Sequence, residues 1–337
     1  MIGRAKRPWS IPALILLLSC ICFPPGAASG AAAQESRGYA SFDLELDGVY
    51  VGFLYNSEGG SPSSAVIIEP MGPNYIIKKH LGQPRYEDIV INVGPHMSKH
   101  IYEWIKDTIT QRYQPKNGAI VLLDQHYREL SRLEFFNALI TEVTFPILDA
   151  SSRDLAYLQV KISPSFTRSR RYAGSAPVAY AHAQTAAQQQ RSSKKWSSSN
   201  YRFTIAGLEN AARGIHKISA LTYKIQFQAQ VPGGARDAQP YVGYDLSNIT
   251  VWVAGNHAEP FYQWFDDFVV KGNNADNMER TATLEYFDAR LSEVLFKLTL
   301  SHVGIYKMSA EKATADSFQL HKAELYIENI FNFEYPH

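Results

Sequence analysis

The chain has 337 residues, 45% of them apolar and 19% charged, with 33 Lys and Arg against 32 Asp and Glu. That length predicts about two domains, and the composition excludes a wholly disordered chain. A net charge of +1 leaves no general field for capturing nucleic acid.

Residues 1–33 read as an export signal. Arg4, Lys6 and Arg7 precede the mostly apolar run Ile11 to Phe23, and Ala31-Ala32-Ala33 before Gln34 forms an A-x-A cleavage pattern. A membrane-spanning helix needs about 20 apolar residues, so no stable span is expected after cleavage. The expected destination is periplasmic or extracellular. Leu17-Leu18-Ser19-Cys20 gives a lipoprotein box as a minor alternative. Cleavage would remove both cysteines, Cys20 and Cys22, which excludes disulfides, thiolate catalysis and Cys-ligated zinc from the mature chain. Lys and Arg would fall from 33 to 30 against 32 acids, a net charge of −2.

Beyond that segment an internal repeat organises the chain. Phe42, Leu44, Leu46 and Gly48 stand 159 positions before Tyr201, Phe203, Ile205 and Gly207. Ile89, Ile91 and Val93 match Ile249, Val251 and Val253 at 160, as Tyr102 and Trp104 match Tyr262 and Trp264. Phe136 and Val143 meet Phe296 and Val303 at the same offset, and Leu158, Val160 and Ile162 meet Ala323, Leu325 and Ile327 at 165. A duplication is the simplest account. It predicts a domain over 34–167, a flexible Ala/Gln/Ser linker over 168–199 and a second domain over 200–337.

Each copy opens with an alternating strand (Phe42 to Leu46; Tyr201 to Ile205), and the alternation predicts one buried face. Long excursions follow, Gly48 to Tyr86 and Gly207 to Tyr241, too long for tight turns and therefore candidate stacking arms. Second strands run over Ile89 to Val93 and Ile249 to Val253. A short helix comes next: Ile101, Trp104, Ile105 and Ile109 trace one apolar stripe, with Ser98 as cap. In the second copy the stripe is Phe261, Trp264, Phe265, Phe268 and Val269, with Asn256 and Glu259 in capping-box spacing and Pro260 in the first turn. Asn117-Gly118 predicts a turn into the strand Ala119 to Leu123. Further strands are expected near 132–145 and 154–162, and near 280–287, 294–306 and 319–330. Many strands around one short helix predict a mainly β fold: two tandem β-barrel or sandwich domains, each with one flanking helix. The basic residues Arg168, Arg170, Arg171, Lys194 and Lys195 read as a solvated linker.

The stretches KKHLGQPRYEDIVINVG (Lys78 to Gly94), HIYEWI (His100 to Ile105), NGAIVLLD (Asn117 to Asp124) and LEFFNALITEVTFPILDASSRDLAYLQVKI (Leu133 to Ile162) resemble, in order, the tail tube proteins of contractile-tailed phages and contractile injection systems. The resemblance covers copy one; copy two lacks the NGAIVLLD block and keeps the helix and strand frame. It implies a β-barrel with a flanking helix, the fold shared by the type VI secretion tube protein, assembling in six-fold rings that stack into a tube. A tandem copy then implies rings of three chains and six barrels. Implied partners are the chain itself and sheath- or baseplate-like proteins. The export signal and the long linker depart from the simple tube subunit.

No catalytic, cofactor or metal site is expected. His96 and His100 have a chelating spacing but no evident third ligand, and read as a surface pair. Asp43, Glu45 and Asp47 alternate on one strand face, which predicts a wetted face lining a lumen rather than an acid–base pair. Asp266-Asp267 reads as a solvated helix face, and Trp104 and Trp264 read as core. The chain has no G-x-S-x-G or P-loop motif. The alternative function is an exported two-domain β-sandwich that binds glycan or peptide.

Overall fold

The computed structural model describes residues 39–71, 76–124, 126–172, 196–227, 241–311 and 319–335. The expected export signal and most of the expected linker lie outside these residues. Arg37–His337 form one compact unit, mainly β, with curled sheets and few helices.

Copy one begins with β1 (Tyr39–Leu46) and β2 (Val49–Leu54), joined by Asp47 and Gly48 at φ 49° and 79°. Both turn residues are left-handed, which a tight two-residue hairpin requires. Then come β3 (Asn56–Gly59), β4 (Pro62–Met71), β5 (Ile76–Tyr86), β6 (Ile89–Val93) and helix α1 (Lys99–Ile109). Strands β7 (Lys116–Asp124), β8 (Glu129–Phe145), β9 (Leu148–Asp149), β10 (Leu158–Ser163) and β11 (Phe166–Arg171) complete the copy. The sheet order is β2-β1-β7-β8-β10-β6-β3, with β11 also on β8. The excursion after Gly48 is therefore mostly sheet, and only the separate β4–β5 hairpin stands out as an arm. Asn117-Gly118 is not a turn: Gly118 sits inside β7 between β1 and β8. A Cβ there would lie 2.4 Å from both the Glu45 carbonyl and the Phe135 ring, so close packing, not turning, demands the glycine.

Copy two runs through β12 (Tyr201–Ile205), the short helix α2 (Glu209–Ala212), β13 (Ile215–Ile218), β14 (Leu221–Phe227), β15 (Tyr241–Leu246) and β16 (Ile249–Ala254). Helix α3 (Glu259–Phe265) passes into a π-helical turn (Asp266–Val270), and β17 (Arg280–Phe287), β18 (Val294–Ala310) and β19 (Leu320–Glu334) follow. The order β12-β17-β18-β19-β16-β13 repeats β1-β7-β8-β10-β6-β3 of copy one. Details repeat too. Asn137 in β8 and His302 in β18, 165 positions apart, both adopt positive φ (47° and 54°) at bulges opposite β7 and β17. Asp124 and Asp288 each accept backbone N–H groups of the turn that follows the equivalent strand.

These matches correct the register read from the sequence. Val143 and Met308 hold equivalent places, each bound to the last-strand residue (Val160, Ala323) that pairs with Ile91 or Val251. The offset is thus 165 in β8 and β18, not 160, and Val160 matches Ala323 at 163, not Leu325 at 165. Insertions at strand turns shift the register between strands while leaving it intact within each one.

Helix α1 starts as expected, with the Ser98 side chain accepting from the His100 N–H. Ile101, Tyr102, Trp104, Ile105 and Ile109 are buried on its apolar stripe. Helix α3 starts at Ala258 with no side-chain cap, so the Asn256–Glu259 capping box does not form. Its stripe buries Phe261, Trp264 and Phe268, while the π turn leaves Val269 40% exposed. Burial of side chains of this size contributes about 1.5–3 kcal/mol each.

A single hydrophobic cluster includes residues of both copies. Tyr102 of α1 stacks on Tyr335 and meets Phe296, while Phe145 of β8 meets Tyr286 and Phe333. Trp196, assigned to the linker from sequence, is buried against Tyr286 and Phe296, and its carbonyl accepts from the Ala156 N–H. The strand β11 also carries on to Arg171. Both described ends of the expected linker are therefore ordered structure, because one supplies strand pairing and the other an indole for the shared core.

Candidate assembly surface

The two copies meet along a seam made of strand edges. On one side β8 pairs with β7 and, along its last residues, with β14 of copy two: Leu221 opposite Phe145, Thr222 opposite Thr144, Tyr223 opposite Val143 and Lys224 opposite Glu142. The Thr144 and Thr222 hydroxyls are 3.1 Å apart and hydrogen-bonded. Strand β9 of copy one pairs with β13 of copy two, Leu148 opposite Ile218 and Asp149 opposite Lys217. The tip of α1 joins in: the Tyr223 hydroxyl donates to the Thr108 carbonyl, and the Tyr113 and Tyr223 hydroxyls are 3.2 Å apart. Burial raises the pKa of Tyr113 and Tyr223, so both stay neutral hydrogen-bonding phenols.

The contact is heterologous. Copy one offers an edge and a helix; copy two offers the hairpin β14–β15 and aromatic side chains of β17, β18 and β19. The corresponding edge of β18 and the corresponding hairpin β4–β5 take no part in it. Beyond Val303, the side of β18 away from β19 pairs with no strand among the described residues. Among the described residues strand β4 pairs only with β5, and Val66, Ile68, Ile77 and Leu81 of the hairpin are more than half exposed. These apolar side chains stand on an open ribbon rather than in the core.

The carboxylate row does not form one wetted face. Asp43 is fully buried, because its side of β1 lies under the small cluster of Tyr50, Ala119, Val121 and Leu123, with Tyr127 against it. Ser41 donates to its Oδ1 at 2.9 Å, and Oδ2 has no hydrogen-bond partner among the described residues. Burial, offset in part by Ser41, pushes its pKa up to about 7, and nearby Glu45 adds to the rise. Glu45 binds Arg132, which Glu129 also holds at 2.9 Å. Asp47 closes the β1–β2 turn, accepting from Lys116 Nζ at 3.0 Å and from the Asn117 N–H at 3.1 Å.

The histidines are likewise separate. His96 stacks on Phe53 at 3.7 Å between ring centroids with Nε2 on the Phe53 carbonyl, and burial lowers its pKa. It is half-buried rather than on the surface, since Phe53 and Tyr55 wrap the ring. His100 Nδ1 lies 2.8 Å from Ser98 Oγ. The grouping the sequence did not suggest is Glu279, His302 and Glu328, brought together across β17, β18 and β19. His302 Nδ1 is 2.7 Å from Glu279, which raises the histidine pKa. Tyr326 donates to the other Glu279 oxygen at 2.6 Å, so the carboxylate is already engaged.

Trp104 and Trp264 are buried, as the stripes predict; Trp104 Nε1 donates to the Gln114 carbonyl, and Arg280 lies 4.9 Å over the Trp264 ring. Asp266 pairs with Lys271 at 2.7 Å on the exposed side of α3. Arg168 and Arg170 both pair with Glu134 across the sheet, so that end of the basic cluster is a strand face, not a solvated linker.

The two copies are built of curled β-sheets with few helices and meet edge to edge. Residues 41–165, which lie within the first copy, match the model of the T4-like virus tail tube protein gp19 family. Among solved structures, the chain is similar to a chain of the anti-feeding prophage tube-terminating cap, with 22% identity and a TM-score of 0.36 over 44% of this chain and 100% of that one. It is also similar to a chain of the PVC extracellular contractile injection system sheath–tube complex, with 19% identity and a TM-score of 0.37 over 43% and 99%. A third similarity is to a chain of the PVC sheath/tube terminator, with 20% identity and a TM-score of 0.34 over 39% and 93%. A comparison with curated proteins finds no match.

Proposed function

We propose that the chain is a non-enzymatic structural subunit that assembles with copies of itself into rings, each chain contributing two of about six tube domains. The observation that carries this reading is the heterologous seam at which β14 completes the edge of β8. Heterologous contacts repeated by rotation close into rings, and two domains per chain make three chains a full turn. The exposed β4–β5 hairpin suits contact with a neighbouring ring. Sheath- or baseplate-like proteins are the further partners this reading implies, and the apolar run Ile11 to Phe23 supports an exported or particle-associated location. No described helix is long and apolar enough to cross a membrane.

Negative-stain microscopy and mass photometry of the full chain test the reading. Rings of three chains, or stacks of them, are the expected outcome. Monomers persisting at high concentration would sink it.

A further inference from the structure

We propose that the open edge of β18 in one chain accepts strand β4 of a second copy, with Ser309 facing Ser61, and that Asp266 meets Arg171 across the same junction. This rests on the ring-forming reading above and names the residues that would join one chain to the next.

The seam within the chain has a donor hairpin and an acceptor edge, and each has a counterpart in the other copy. Gln159 pairs with Thr144 as Lys322 pairs with Ser309, which places Ser309 at the position of Thr144. Tyr223 pairs with Leu246 as Pro62 pairs with Tyr86, each three residues before the next strand of its copy. The Glu87 N–H donates to the Ser61 carbonyl as the Ser247 N–H donates to the Thr222 carbonyl, which places Ser61 at the position of Thr222. Moving the internal register onto these counterparts puts Ser61 opposite Ser309 and Ser63 opposite Lys307; the register stops there, because Gly60 is buried with a left-handed φ and its carbonyl accepts from Thr167 Oγ1 at 2.7 Å. The hydroxyl pair Thr144–Thr222 is thus replaced by another hydroxyl pair.

A second contact follows from the helices. At the internal seam Lys106 of α1 lies 5.9 Å over the Tyr335 ring. Asp266 holds the place of Lys106, two residues after the tryptophan of its helix. Arg171 holds the place of Tyr335: Arg171 pairs with Ser131, and the neighbouring Arg170–Arg132 pair corresponds to Glu334–Lys297. Both counterparts are solvent-accessible and opposite in charge. The aromatic contact inside the chain becomes an ion pair between chains.

The external junction is also the weaker of the two. Ser61 points its backbone toward β5, so Pro62 points its own toward the neighbour, where it lacks the N–H that Tyr223 supplies internally. Arg171 and Asp266 offer a salt-screened charge pair in place of the half-buried contact of Lys106 with the Tyr335 ring. The internal seam is therefore permanent, while the external one opens with salt.

Cysteine cross-linking tests the register. In an antiparallel ladder, directly opposed residues that do not hydrogen-bond to each other lie about 4.5 Å apart at Cα, within disulfide reach. The full chain carrying S61C and S309C, with Cys20 and Cys22 changed to Ser, is expected to yield reducible dimers and a closed trimer after mild oxidation. The single variants should stop at dimers or less. In parallel, D266R and R171D should each cut assembly at least tenfold by mass photometry, and the D266R/R171D chain should regain it. Rings that form without either the cross-link or the charge rescue would overturn this junction and leave the ring reading standing. A wild-type chain that forms no rings at all would overturn both.

Discussion

Thr144 and Thr222 lie in different copies of the repeat, yet their hydroxyls are 3.1 Å apart on paired strands. The pair marks where two similar halves stop being separate folding problems. Removing one hydroxyl strands the other at a partly buried strand contact, whereas removing both leaves a matched apolar pair. Thr144→Val and Thr222→Val should each cost about 1 kcal/mol. The double variant should cost less than their sum, read as a coupling in a urea double-mutant cycle. Strict additivity would show that the contact carries no energy.

Asp43 gives the fold a pH dependence of its own. Its folded pKa is raised to about 7 from 3.8 by burial. Between those values the folded state holds a proton that the unfolded state has released, so stability falls as pH rises from about 4 to 7. Asp43→Asn keeps a neutral, hydrogen-bonding side chain and should flatten that slope, with a gain on the order of 1–3 kcal/mol at pH 8. Guanidinium melts of both proteins at pH 5 and pH 8 measure it. Equal pH slopes would refute the assignment.

Gly118→Ala should be among the most damaging small substitutions. The added methyl meets the Glu45 carbonyl and the Phe135 ring at 2.4 Å, and neither can retreat without opening the β1–β7–β8 ladder. A loss of about 1–3 kcal/mol is expected, seen as a lowered melting temperature. Alanine in place of Gly243, where nothing lies within 4 Å, serves as control and should cost far less.

Leu81 separates assembly from folding. It is 71% exposed on the arm and touches no core, so Leu81→Ser should change unfolding free energy by less than about 0.5 kcal/mol. Loss of ring stacking by the same variant, scored by microscopy, would place the arm at the contact between rings; unchanged stacking would remove it from that role.

Much of the fold was legible because strand alternation and helical stripes survive duplication. Trp104 and Trp264 mark the same helix in each copy, and each is buried where its stripe predicted. The departures from that pattern are local. The turns that follow each helix differ in length between the copies, so an offset of 160 read from the helices becomes 165 on β8 and β18. The burial of Asp43 was hidden for a similar reason: alternation shows that residues share a face, not what covers that face. Nothing in the sequence near Trp196 announced its place in the core, since an isolated indole beside serines carries no period. The seam residues escaped notice because strand edges leave no composition of their own.

One pair of ladder positions decides which edge each hairpin can use. Lys224 of β14 stands opposite Glu142, which also binds Lys161 at 3.2 Å; at the equivalent edge the polarity is reversed, with Lys307 held by Glu324. Were β14 to settle on β18 instead, two ammonium groups would be forced together, while β4 brings only a serine to that spot. The sequence thus discriminates between its own two ribbons, and unlike halves must alternate around any closed wall built from this chain.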